Sequence, residues 1–212
     1  MRAGFSSASA EKGRTRSLQR LSGYDYSKPG AYFVTINAHQ TFIRSDLFGK
    51  IEQGRVTLSD YGAIVEKQWL WLGSHFPGIR LDEHVVMPDH FHGIVHLLEL
   101  PGDAPRKPLP QLMGAFKTTS SKEIHLAGLA SFRWHQSYYD HIIRNEEDLC
   151  RIRAYIRANP EKWDAAMARS YGTAIAHGTA RSYGTVAYGT VATVPYDDDD
   201  DDGLPCAEGL QP

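Results

Sequence analysis

Two histidines separated by one residue, His90 and His92, are the side chains of this sequence best suited to chemistry. They lie in an apolar, β-branched run from Val85 to Leu98, which favours a strand inside a sheet. Alternate residues of a strand point to the same face, so the two residues lie about 6.6 Å apart along the backbone on one face. Neutral imidazoles placed in this way can bind one divalent metal ion. The alternative is a pair of structural strand histidines, because the same spacing also arises by chance.

A tyrosine farther along the chain, Tyr155, is predicted to lie on a helix that begins after the N-cap residue Asn145. The helix is predicted to end at Asn159, because a following proline disfavours helical backbone. Tyr155 and Asn159 are four residues apart and therefore share one helix face. A phenol, an amide oxygen and two imidazoles would supply a nucleophile and three metal ligands. For Tyr155 alone, an ordinary position on an amphipathic helix is the competing interpretation. The apolar stripe of this helix recurs at core spacing: Leu149, Ile152 and Ile156.

Four short segments, in this order, give the sequence a family resemblance: Gly-Ala-Tyr-Phe-Val-Thr at 30–35, Val-Val-Met-Pro-Asp-His-Phe-His-Gly at 85–93, Tyr-Asp-His-Ile-Ile-Arg-Asn at 139–145, and Tyr-Ile-Arg-Ala-Asn-Pro at 155–160. With them the chain resembles the single-tyrosine HUH transposases, over roughly residues 20 to 165. Relatives mobilised by insertion sequences typically have glutamine where Asn159 stands. Asn159, together with the first segment, favours the branch of REP-associated tyrosine transposases.

The resemblance implies an activity, a set of site residues and partners. Tyr155 would be the nucleophile in cleavage and rejoining of single-stranded DNA, and His90, His92 and Asn159 would hold a divalent metal, Mg²⁺ or Mn²⁺. His141 lies in one of the shared segments and is an accessory candidate that orients phosphate or metal, with a structural role as the equal alternative. The DNA would carry hairpin-forming, REP-like sequences, and the protein would be a homodimer.

The predicted elements interleave as β-α-β-β-α-β-α, with an additional small hairpin near residues 48–58. This order predicts an α+β fold of the ferredoxin-like, HUH-endonuclease type, with an antiparallel sheet and its helices packed on one face. A helix expected over residues 111–126 carries Lys117 and Lys122, which are candidate DNA contacts or simply members of a solvated helix face.

Composition divides the 212 residues into three parts. Residues 1–19 are predicted to be a disordered basic arm whose Arg14 and Arg16, with Arg20 just beyond it, suit phosphate contact, although a solvated tail is equally compatible. Residues 20–168 are predicted to form the catalytic domain. Residues 169–212, with repeated Tyr-Gly-Thr units and six consecutive aspartates, are predicted to be a disordered low-complexity tail. Without that tail, 21 basic and 18 acidic residues remain. This small excess of positive charge does not by itself indicate a polyanionic partner.

No apolar stretch approaches the length of a membrane span, so a cytoplasmic location without membrane contact is expected. Three classes of function remain open. The first is a transposase that acts as a single-strand endonuclease and strand transferase. The second is an HUH initiator of replication or conjugation, which usually has a longer chain or a second tyrosine. The third is a non-catalytic ferredoxin-like nucleic-acid-binding protein, which would need aromatic residues on an exposed sheet face.

Overall fold

Four strands form one antiparallel sheet in the computed structural model, which describes residues 21, 23–39, 46–102 and 106–176, with side chains described as far as residue 166. The elements along the chain are β1 (Gly30–Asn37), β2 (Gly49–Glu52), β3 (Arg55–Leu58), α1 (Asp60–His75), β4 (Ile79–Val86), β5 (His90–Leu97), α2 (Leu109–Leu126), β6 (Tyr139–Ile143) and α3 (Glu146–Ala176). The sheet order is β4-β5-β1-β6, and β2 and β3 form a separate hairpin.

The topology of the sheet is ferredoxin-like. Without the hairpin, the elements up to β6 run β-α-β-β-α-β, and each neighbouring pair in the sheet is antiparallel. The crossovers through α1 and α2 each skip one strand, which places β1 and β5 in the centre. The predicted α+β fold with an antiparallel sheet is confirmed, and so is the small hairpin.

The helices lie on both faces of the sheet, so the prediction that they share one face is wrong for α3. Residues of α1 and α2, such as Trp69 and Phe116, pack in one apolar cluster with Tyr32, Phe91 and Val95 of the central strands. The opposite face contributes a second cluster, in which α3 covers the sheet: Phe33, Ile94, Ile143, Leu149, Ile152 and Ile156. All eight residues of β5 are buried, so both faces of this central strand are covered.

Helix α3 does not end at Asn159 as predicted but continues through Pro160 to Ala176, past the domain boundary predicted at residue 168. A proline inside a helix removes one hydrogen bond and crowds the preceding turn. Tertiary contacts hold the helix beyond it. The Trp163 ring lies against His90, and Asp164 accepts a 3.1 Å hydrogen bond from the backbone N–H of Gly54 in the β2–β3 turn.

Local signals at helix starts have the predicted geometry. The side chain of Asn145 accepts a 2.8 Å hydrogen bond from the backbone N–H of Asp148, which is the N-cap contact expected for α3. Ser59 caps α1 by accepting from Gly62 at 3.2 Å. None of the helices in the described part of the chain has the length and apolar character needed to span a bilayer.

Candidate active site

The histidine pair lies on β5, with both rings on the sheet face that α3 covers. The Nε2 atoms of His90 and His92 are 3.1 Å apart. Both residues are almost completely enclosed, with 3% and 1% of their surface exposed. Gly93, the next residue, faces the other side, where an added Cβ would lie 2.7 Å from the Trp69 ring. The glycine thus lets α1 pack tightly behind the strand that carries the pair.

Neighbouring oxygens fix the orientation of both imidazoles. His90 donates from Nδ1 to the Asp89 carboxylate over 2.7 Å, which leaves its Nε2 as a lone-pair nitrogen. His92 Nδ1 lies 2.8 Å from the Thr35 hydroxyl on β1. Because a hydroxyl both donates and accepts, Thr35 fits either tautomer of His92. Carboxylate and hydroxyl partners of this kind are typical of metal-binding histidines.

The separation of the two nitrogens suits a metal ion. An ion bound to both imidazoles by bonds of about 2.0–2.1 Å at a right angle would place the two nitrogens about 2.8–3.0 Å apart, slightly closer than the observed 3.1 Å. Burial, and then the repulsion that a protonated His90 would exert, hold the pKa of His92 well below its usual range, so that its ring stays in the neutral form that binds metals. Among the described residues, no three His, Cys, Asp or Glu side chains cluster as a metal site. Further ligands would therefore be amide or water oxygens.

Tyr155 lies directly beside the histidine pair. Its ring centroid is 5.6 Å from that of His92 and 6.0 Å from that of Phe33, both in edge-to-face geometry. The side chain is half-buried. Asn159 follows one helical turn later and is also half-buried. The structure thus brings His90, His92 and Tyr155 together, while the role of each residue remains a prediction.

Two further residues of α3, which are not among the predicted site residues, lie next to His90 and Tyr155. Trp163 lies with its ring centroid 5.6 Å from that of His90, and the Lys162 ammonium lies 5.9 Å from the Tyr155 ring centroid. Both follow Pro160, where the helix was expected to have ended. The interpretation of Pro160 as a stop signal therefore concealed these two residues.

A network of charged side chains fastens α3 to the edge strand β4 next to Tyr155. Asp82 accepts two hydrogen bonds from Arg153, at 2.7 and 3.0 Å, and a third from His96 Nε2 at 2.8 Å. One turn after Arg153, Arg157 pairs with Glu83. The other ring nitrogen of His96 accepts from Arg80 at 3.1 Å, so both nitrogens of His96 are engaged, which argues against a ligand role for His96.

His141 lies on β6 and donates a 2.9 Å hydrogen bond from Nε2 to Asp148 in the first turn of α3. Burial acts to raise the pKa of Asp148, but its bonds with His141 and Arg151 outweigh burial and lower it. This contact gives His141 a position at the start of the helix, two turns before Tyr155. Its predicted accessory role toward phosphate or metal remains a prediction.

The two lysines predicted to contact DNA line an open groove of about 630 Å³ between α2 and the segment that leads to β6. Lys117 donates to three backbone carbonyls, those of residues 135, 136 and 137, at 3.0–3.3 Å, so all of its N–H bonds have acceptors. Lys122 is exposed. The groove carries no carboxylate among its described lining residues: Lys117, Thr118, Ser121, Lys122, His125, Leu126, Phe132, Arg133, Trp134, His135 and Gln136. The other predicted contacts, Arg14, Arg16 and Arg20, lie outside the described residues.

Comparison with known proteins finds a sequence relative and several similar solved structures. An uncharacterized protein of Haemophilus influenzae is 34% identical over 161 residues, which span 68% of this chain and 88% of that protein. A REP-associated tyrosine transposase bound to a REP hairpin is similar with a TM-score of 0.49 and 22% identity, over 69% of this chain and 73% of that one. A candidate transposase of Deinococcus radiodurans R1 gives 0.35 and 19%, over 65% and 95%. No family model matches the sequence.

Proposed function

The chain belongs to the same protein family as the uncharacterized Haemophilus influenzae protein, and we propose that it is a metal-dependent single-strand DNA endonuclease and strand transferase of the transposase type. One observation carries the proposal. A tyrosine ring lies 5.6 Å from a buried histidine whose Nε2 faces a second imidazole at 3.1 Å. Those are the three side chains that the sequence motifs assign to a nucleophile and a metal site.

The reaction is a phosphoryl transfer from DNA to protein. The Tyr155 oxygen loses its proton and forms a bond to the phosphorus of a phosphodiester, while the bond from phosphorus to the 3′ oxygen breaks. The products are a 5′-phosphotyrosine link and a free 3′-hydroxyl. Attack by a 3′-hydroxyl on that link reverses the step, so a strand is rejoined without a nucleotide cofactor.

The donor set suits a divalent ion, either Mg²⁺ or Mn²⁺, that neutralises charge at the scissile phosphate. His90 and His92 would hold it through Nε2 and Asn159 through its amide oxygen, a mixture of nitrogen and oxygen ligands that Mn²⁺ accepts more readily than Mg²⁺. Asp89 and Thr35 keep the imidazoles aimed at it. Lys162, near the Tyr155 ring, adds a positive charge for the incoming phosphate.

The covered sheet argues against a non-catalytic binder that stacks bases on the sheet. Such a protein needs an open face with exposed aromatic rings, whereas here α1 and α2 cover one face and α3 the other. An initiator of replication or conjugation would keep the same site, so the choice between it and a transposase rests on the four sequence motifs of the family resemblance. A transposase that acts on hairpin-forming, REP-like DNA, as a homodimer in the cytoplasm, is the function that fits the sequence motifs.

The experiment that tests this function is a denaturing gel of the full chain incubated with single-stranded DNA from the flanks of its own gene. We expect a covalent protein–DNA band with Mn²⁺ that disappears with a chelator. His92→Ala is expected to weaken metal binding and lower the yield at least tenfold. The matched variant His75→Ala, at an exposed position on α1, is expected to keep the band. Binding without a covalent band, with both metals and both strands, would contradict the proposed reaction.

The groove beside α2 is proposed as a contact surface for the DNA backbone. Its basic, carboxylate-free lining suits phosphates, and Lys122 and Arg133 are both exposed there. We expect Lys122→Ala to weaken hairpin DNA binding severalfold in low salt. The plot of log affinity against log salt concentration should become less steep by about 0.7–0.9, which corresponds to the loss of one phosphate contact.

The matched control for the groove is Lys67→Ala, an exposed lysine on α1, which should leave both the affinity and the slope unchanged. Lys117→Ala should not reduce the salt dependence of binding as Lys122→Ala does, because the Lys117 ammonium donates to the backbone carbonyls of residues 135–137. A titration in which Lys67→Ala and Lys122→Ala behave alike would exclude the groove as the contact surface.

A further inference from the structure

Asn37, the last residue of β1, stands directly opposite the first histidine of the pair. In the antiparallel register of β1 and β5, the Cα partner of Asn37 is His90 and that of Thr35 is His92. Residues opposite each other in neighbouring strands have Cβ atoms about 4.5–5.5 Å apart. Asn37 therefore belongs to the immediate surroundings of the His90 ring, although it is 53 positions earlier in the chain.

The alternation of β1 places the Asn37 side chain on the same face as the pair. Thr35, two residues earlier, bonds the His92 ring on that face. The intervening Ile36 and the following Ala38 both pack in the cluster on the opposite face. Since the direction of the side chains alternates without interruption from Thr35 to Ala38, Asn37 points toward the histidines.

The amide oxygen of Asn37 is enclosed, and it has no hydrogen-bond partner in the described part of the chain. An unpaired buried oxygen carries a desolvation penalty, so a native structure that keeps one calls for an explanation. The side chain that carries this oxygen lies on the same sheet face as the two imidazoles, whose outer nitrogens already have partners in Asp89 and Thr35. A metal ion that accepts electron pairs from all three side chains would satisfy the amide oxygen and would replace the contact between the two Nε2 atoms.

We propose that Asn37 is an additional ligand of the divalent ion held by His90 and His92, through its side-chain oxygen. The inference rests on the proposed function, because it takes the metal site as given. Side-chain amide oxygens are suitable ligands for hard divalent cations. With Asn159 from α3, the ion would then receive two nitrogens from β5, one oxygen from β1 and one from α3. Three separate elements would thus be joined at the site.

The sequence alone does not single out Asn37, because asparagine is common where a strand ends in a turn. Only the pairing of β1 with β5 brings it to the pair. A ligand from β1 would also make the site less dependent on the position of α3, since three of the four donors belong to two adjacent strands. Metal binding should then persist when the tyrosine helix is perturbed.

The test is a titration with Mn²⁺ alone, followed by electron paramagnetic resonance of the free ion, on the full chain without DNA. We expect Asn37→Ala to weaken Mn²⁺ binding about tenfold, and Asn37→Asp, which keeps an oxygen in place, to retain the affinity. Asn145→Ala, at the N-cap of α3, is the matched control. It removes the same amide and weakens α3, which supplies only one of the four donors, so it should lower the affinity less than Asn37→Ala does.

A second readout separates ligation from a structural role. In metal-free protein, Asn37→Ala should leave the denaturation midpoint unchanged or raise it, because the variant removes an unpaired buried oxygen. Equal Mn²⁺ affinity in wild type and Asn37→Ala, with affinity lost in His90→Ala, would overturn this inference and leave the proposed function standing. Absence of Mn²⁺ binding in wild type, or binding insensitive to His90→Ala, would overturn the metal site itself.

Discussion

Replacing Tyr155 with phenylalanine is expected to abolish the covalent protein–DNA product while DNA binding persists. The substitution removes one oxygen and keeps the ring that packs edge-to-face on Phe33 and His92. Loss of an enzyme's nucleophile typically lowers the rate by a factor of about 10⁴ to 10⁶. The rate of adduct formation in a single turnover with excess protein is the quantity to measure, since it is insensitive to product release.

Tyr139→Phe is the matched control for this substitution. Tyr139 is also half-buried and packs against the same apolar cluster as Tyr155, but it lies on β6. We expect its variant to form the adduct at the wild-type rate. An adduct that survives Tyr155→Phe and disappears in Tyr139→Phe would move the nucleophile to the strand. Unchanged adduct formation in both variants would remove tyrosine chemistry from either position.

The residues that share a local period were predictable from the sequence. The alternation of β5 places His90 and His92 on one face, and the helical repeat places Tyr155 at the edge of an apolar stripe. Both relations span only a few residues, and the structure keeps both. The cap at Asn145 is equally local, since its bond to Asp148 crosses three residues. Short-range geometry of this kind requires no knowledge of the fold.

Relations between distant segments were not predictable in the same way. Helix α3 continues past Pro160 because its second half contacts the β2–β3 turn 110 positions away and the ring of His90. Local propensity at Pro160 points the other way, and tertiary contacts override it. The same limit applies to Asn37, which meets His90 only through strand pairing, and to Lys117, whose acceptors lie 18 to 20 residues later. Local pattern thus predicts which residues are reactive, while the pairing of segments decides what surrounds them.

Removal of the Asp82 carboxylate is expected to be the most destabilising single change near the site. Asp82 is 71 positions from Arg153, and it fixes that guanidinium through two bonds while also accepting from His96. Its side chain is only 9% exposed. Removing one partner of a buried ion pair typically costs about 3–5 kcal/mol, and we expect Asp82→Ala to lower the free energy of unfolding by about 3 kcal/mol. Chemical denaturation of wild type and variant at pH 7 measures this difference.

The pH dependence of that loss identifies its origin. Burial acts to raise the pKa of Asp82, but its hydrogen bonds with His96 and Arg153 outweigh burial and lower it far below the ordinary value of about 3.9. A carboxylate with a lowered pKa stabilises the fold fully above its unfolded pKa, and this contribution declines as the pH falls toward the folded pKa. The difference between wild type and Asp82→Asn should therefore be constant from pH 7 to about 5 and shrink below about pH 4. A difference that stays constant down to pH 3 would show that packing, not charge, holds α3 at this point.

The same network positions the nucleophile, because Arg153 and Arg157 flank Tyr155 by two residues on either side and both bond to β4. Loosening α3 at Asp82 should slow adduct formation, whereas Mn²⁺ affinity should fall less than in His90→Ala, since both histidines belong to β5. Glu66→Ala is the matched control: Glu66, on α1, is half exposed and lies 3.8 Å from His84 of the same edge strand β4. It should change neither the stability nor the adduct rate. If Asp82→Ala lost stability but kept the wild-type adduct rate at a temperature where it remains folded, the network would serve the fold alone and Tyr155 would be positioned by its contacts with Phe33 and His92.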